Sequence, residues 1–182
     1  MLLRAFLGSG LALVATAAVA DAPSSEGWED GFLDHAMTCL STQQSRPPDE
    51  GLLLASGYAS VEPPEGFGEK VRIYKQAHSD HVITVDLATS SCSVTWRLGQ
   101  LERDELFIGT LAEKLMDRAS KNEAARYVAG DQKRGDGRLY YGFLSGRATA
   151  TLIADLEGER ATVTFSAMNI DNLQDMLPKG SR

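Results

Sequence analysis

The stretch VITVDLATSSCSVTWRL, residues 82–98, decides the fold. Ile83, Val85 and Leu87 alternate with Thr84 and Asp86; after a short polar link, Cys92, Val94 and Trp96 alternate with Ser93, Thr95 and Arg97. Successive side chains of a strand point to opposite faces, so a period of two with one apolar set reads as a strand buried on one side only. Two such runs joined by a link of hairpin length predict an antiparallel pair with an apolar inner face and a polar outer one.

Working outward, Val71 to Ala77 supplies a further strand upstream, and the loop from Val61 to Glu69 before it is marked by Pro63, Pro64, Gly66 and Gly68. Earlier still, Trp28, Phe32, Ala36, Cys39 and Leu40 recur at helical spacing within residues 25–44, with Glu29, Asp30, Asp34 and Gln43 on the other face. Ser24 or Ser25 can cap that helix, and its acidic first turns suit the helix dipole. A short second helix is expected over Asp49 to Ser56, stopped by Gly57.

Downstream, Phe107, Leu111 and Leu115, backed by Ile108, Ala112 and Met116, predict a helix over Asp104 to Ala119. A polar link then leads to a second meander: Leu139 to Leu144, Ala148 to Leu156 and Ala161 to Met168, turning at Ser145-Gly146 and Glu157-Gly158. The expected fold is therefore α+β, with two main helices on one face of a mostly antiparallel, roughly six-stranded sheet. Its order of helix, three strands, helix, three strands reads as two similar halves.

Residues 1–20 have the form of a secretory signal peptide: Arg4, then an apolar run from Ala5 ending in Ala18-Val19-Ala20, an A-x-A cleavage site before Asp21. The run is shorter than the roughly 20 apolar residues of a spanning helix and has no basic cluster after it, so no stable membrane anchor is expected once it is cleaved. Residues 21–182 then form a single domain with a polar tail after about residue 170, exported to the periplasm or secreted.

That mature chain would carry 25 acidic residues against 17 basic ones (18 less Arg4), a formal charge of −8. Its basic residues are scattered, with Lys133-Arg134 and Arg138 the nearest to a cluster, so nucleic acid is excluded as an expected partner. In an oxidising compartment two cysteines pair, and both Cys39 and Cys92 fall on inward-facing positions of their elements. A disulfide tying the first helix to the sheet is expected.

Motifs that carry chemistry are few. His35 and Cys39 stand four apart on one helix face, as a base and a nucleophile would, but a disulfide at Cys39 removes that role. His78-Ser79-Asp80-His81 places two imidazoles and a carboxylate at the turn between two strands; His78, Asp80 and His81 are the available metal-ligand candidates. Zinc needs three or four converging ligands, and nothing in the sequence brings His35 to this turn, which reads as an exposed polar hairpin. Arg134-Gly135-Asp136 reads as a solvated Gly/Asp turn. Phosphate loops, G-x-S-x-G elbows, H-E-x-x-H helices and C-x-x-C pairs are absent from the sequence.

No metal, cofactor or catalytic residue is therefore expected. The outer sheet face, with Thr84, Asp86, Ser93, Thr95 and Arg97 in one group and Thr162, Thr164 and Ser166 in another, is the candidate binding surface. These features together predict a non-catalytic exported binding module of the cell envelope whose partner is an envelope protein or a small ligand. The alternative is a small exported enzyme or metal-binding protein using the His78-Asp80-His81 turn.

Overall fold

The computed structural model describes residues 28–77, 79, 81–99, 102–122, 125–129, 138–157 and 161–171. The expected leader, the expected caps Ser24 and Ser25, His78, Asp80, Lys133-Arg134, Arg134-Gly135-Asp136, Gly158 and the tail beyond residue 171 lie outside them. Among the described residues three helices, α1 (Trp28–Thr42), α2 (Glu50–Ala55) and α3 (Glu105–Asn122), accompany eight strands. The strands are β1 (Tyr58–Val61), β2 (Val71–Gln76), β3 (Val82–Asp86), β4 (Ser91–Arg97), β5 (Ala125–Ala129), β6 (Arg138–Ser145), β7 (Ala148–Asp155) and β8 (Thr162–Asn169).

All eight pair antiparallel in the order β1-β2-β3-β4-β8-β7-β6-β5. The α+β class and the six strands read from the sequence stand, and the strand count rises by two. The additions, β1 and β5, are the edges of the sheet. Each is short and pairs on one side only, so neither needs the alternation that marks an inner strand; along β1 only Tyr58 is buried.

Each half ends in a four-stranded meander, preceded by α1 and α2 in the first and by α3 in the second, and the halves meet at β4 and β8. Their register runs from Ser91 opposite Met168 to Arg97 opposite Thr162. The alternation read from the sequence sets the faces: Cys92, Val94, Val163, Phe165 and Ala167 point to the helices and are buried, while their neighbours do not. Helix α1 packs on β4 and β8, and α3 packs on β5 and β6. Phe32, Leu33 and Ala36 of α1 join Ile108, Leu111 and Leu115 of α3 in the same core. Burying a side chain of this size contributes about 1.5–3 kcal/mol, so these rows supply most of what holds the layers together.

Ionic contacts tie the helices along their outer edges. Lys114 of α3 meets Glu29 of α1 at 2.6 Å, and Arg118 meets both Asp30, at 2.6 Å, and Asp34. Past its C-terminus α1 is latched to the second half: Gln44 Nε2 donates to the Ser145 carbonyl at 3.2 Å, and Gln44 Oε1 accepts from the Arg147 amide at 2.9 Å. The Asn169 amide donates to the Gln43 carbonyl at 2.8 Å. The hairpin so gripped turns through Gly146 at φ +54°, a left-handed conformation that glycine takes without strain. Gly57, at φ +81°, ends the α2 segment as the sequence predicts, and the Asp49 side chain caps its start.

Cys39 and Cys92 are joined, with Cα atoms 5.7 Å apart and both residues fully buried. The bond closes a loop of sequence separation 53. In the chain-entropy account a closure of that length stabilises the fold by ~4 kcal/mol. The double variant C39A/C92A should therefore unfold at markedly lower urea than the oxidised parent, with ΔG of unfolding reduced by ~4 kcal/mol; an unchanged midpoint would show that packing alone seats α1.

Candidate functional site

Pairing of β4 with β8 merges the two groups of polar residues that the sequence leaves separate. Thr84 stands opposite Ser93, Ser93 opposite Ser166, and Ser166 opposite Thr151. One row of four hydroxyls thus crosses β3, β4, β8 and β7 on the face away from the helices. In the next row the Thr95 and Thr164 hydroxyls hydrogen-bond at 3.0 Å, and beyond it Arg97 faces Thr162. Asp86 lies on the same face, but its carboxylate accepts the Ala88 amide at 2.8 Å and so shapes the turn after β3.

Beside these rows lies a shallow depression of about 340 Å³, lined by Ser91, Thr149, Thr151, Ser166 and Met168 among others. Of these, only Ser166 was among the residues selected from the sequence. The Ala-Thr-Ala-Thr alternation of residues 148–151 carried the signal for Thr149 and Thr151, but only the strand order shows that β7 borders β8. Hydroxyls and a thioether can accept, donate and pack. Such a lining can hydrogen-bond and pack against a bound group.

The second constellation lies on the inner side. His35 and His81 are 5% and 7% exposed, and their ring centroids are 4.7 Å apart. This corrects the reading of residues 78–81 as an exposed hairpin remote from His35: His81 turns inward, where its ring stacks on Trp96 at 3.9 Å. Trp96 in turn stacks on Trp28 at 5.4 Å, Trp28 meets Phe107 at 5.6 Å, and His35 meets the edge of Tyr58 at 5.3 Å. A helix can approach this closely because residue 31 is glycine; a Cβ there would stand 3.3 Å from His81 Nε2.

Ser79 joins the turn to α1. Its Oγ accepts the His81 amide at 3.1 Å and lies within hydrogen-bond distance, 3.2 Å, of His35 Nε2. Burial lowers the pKa of His35, against smaller opposing effects of the Gly31 carbonyl and the Asp34 carboxylate. Of its neighbours, Tyr58 is pushed up to about 12 by burial and stays neutral, and Asp34 is paired with Arg118. The His35–Cys39 dyad is ruled out, since Cys39 is bonded to Cys92. Among the described residues no three His, Cys, Asp or Glu side chains converge as metal ligands.

The sign of the pH effect follows from the lowered pKa. The unfolded chain takes up a proton near pH 6.5 that buried His35 resists, so stability conferred by neutral His35 is present above that pH and is lost as pH falls below it. Urea midpoints should drop between pH 7.5 and 5.5, and the drop should shrink in His35→Gln; an equal drop in both proteins would place the titrating group elsewhere.

No protein-family model, no curated protein and no solved structure matches the chain, so the geometry of its two faces carries the functional reading.

Proposed function

We propose that this chain is an exported, non-catalytic binding module of the cell envelope that recognises an envelope protein or a small ligand through the helix-free face of its sheet. The observation that carries the reading is the continuous hydroxyl surface centred on the Thr95–Thr164 bond and opening into the depression at Ser166 and Met168. Threonine suits a strand for its branched side chain alone, but a solvated face has no need of a recess beside ordered hydroxyls. The sequence of the leader and the buried disulfide support export, since such bonds persist in oxidising compartments.

A second reading, a metal-binding or catalytic role for the His78-Asp80-His81 turn, is favoured by one observation: the buried His35 ring lies against that of His81, with centroids 4.7 Å apart. Zinc retained by the purified protein and lost in His81→Ala would establish it; metal-free protein after dialysis against zinc would remove it.

For the first reading the discriminating variant is Thr164→Lys. Its side chain points away from the core, so its stability should stay within about 0.5 kcal/mol of the parent. Expressed in a deletion strain, it should fail to restore the wild-type envelope phenotype. Full restoration by Thr164→Lys and by Thr95→Lys would show that the sheet face is not the binding surface.

A further inference from the structure

The β1–β2 connection, residues 62–70, is shaped by its own bonds. The Phe67 amide donates to the Pro64 carbonyl at 3.3 Å across a turn in which Gly66 takes φ +97°, and the Val71 amide donates to the Gly68 carbonyl at 2.9 Å. The Arg72 guanidinium closes the foot of the loop, donating to the carbonyls of Glu69 at 2.7 Å and Val71 at 3.2 Å. Pro63 and Pro64 fix two further backbone angles. A loop held in this way loses little conformational freedom on binding.

What it presents is an aromatic ring. Phe67 is 50% exposed, and Val61, where the loop leaves β1, is also exposed. By register Val61 faces Ile73, Ile73 faces Thr84, and Val71 faces Asp86, so an apolar corner continues the hydroxyl face at its β1–β2 end. The same loop carries Glu62, Glu65 and Glu69, all exposed, with no cation in the sequence between residues 61 and 69. Lys70 and Arg72 follow at the foot, where Arg72 is occupied by the two carbonyls.

We infer that this loop is the anchor for a protein partner, inserting Phe67 into an apolar pocket whose rim carries Lys or Arg side chains. Binding energy at interfaces concentrates on a few aromatic anchors, and an acidic rim selects a basic counterpart. The inference rests on the binding-module reading and adds the class of partner: a small ligand seated in the sheet depression would leave the ring in water.

The test is photo-cross-linking in the native host, using the full chain with p-benzoylphenylalanine in place of Phe67, and in place of Leu106 as a control that is 77% exposed on α3. Position 67 should yield a discrete protein adduct that position 106 does not, and the triple reversal E62K/E65K/E69K should cut its yield about tenfold. An adduct no stronger than that at position 106, or one indifferent to charge reversal, would overturn the inference. Complementation separates it from the sheet-face reading. Failure of Phe67→Ser together with Thr164→Lys supports both; failure of Thr164→Lys alone overturns the loop, and failure of Phe67→Ser alone overturns the sheet face.

Discussion

The Cys39–Cys92 bond joins the helix that lies across both halves of the sheet to a strand at their seam. With that point fixed, the remaining contacts of α1 follow from helical geometry. One turn toward the N-terminus His35 meets Ser79 and His81; further along, Trp28 falls over Trp96. Beyond the C-terminal end, Gln43 and Gln44 reach Asn169 and the β6–β7 hairpin. The covalent bond thus anchors α1 within the first half, two polar latches tie that helix to the second, and α3 adds its own packing and the Arg118 bridge.

Because both long helices occupy one side, the two-layer fold buries that face of the sheet and leaves Thr95 and Arg97 of the other exposed. Inner and outer residues of the same strands consequently serve different ends. Val94 and Phe165 supply the core, while Thr95 and Thr164, their immediate neighbours in sequence, carry the bonded hydroxyl pair outside. Substitutions on the outer face can thus test the proposed recognition with little effect on stability. The histidine pair behaves in the opposite way: it belongs to the packing beneath α1, so protonation of His35 is felt as stability.

Much of this was legible in the sequence, because period-two and helical patterns report which side of an element is buried. Residues 82–98 and 162–168 gave the faces of β3, β4 and β8, and the phase of Cys39 and Cys92 pointed to their pairing. Edge strands β1 and β5 were missed, since a strand with a single partner leaves little alternation to read. The juxtaposition of β4 with β8 was also hidden: it is a contact between halves, and no local pattern encodes strand order. That one non-local fact makes a continuous surface of two separate hydroxyl groups and adds Thr149 and Thr151 to it. His81 was misjudged for a related reason, because the notch at Gly31 that admits its ring belongs to another element.

The central claim is that a chain proposed to be exported is held in shape by a helix-to-sheet disulfide. Peptide mapping under non-reducing conditions, on protein recovered from the envelope of its native host, tests it most directly. The account predicts an N-terminus at Asp21 and a Cys39-containing peptide linked to one containing Cys92, with no free thiol. An intact N-terminal leader together with two alkylatable thiols would contradict it.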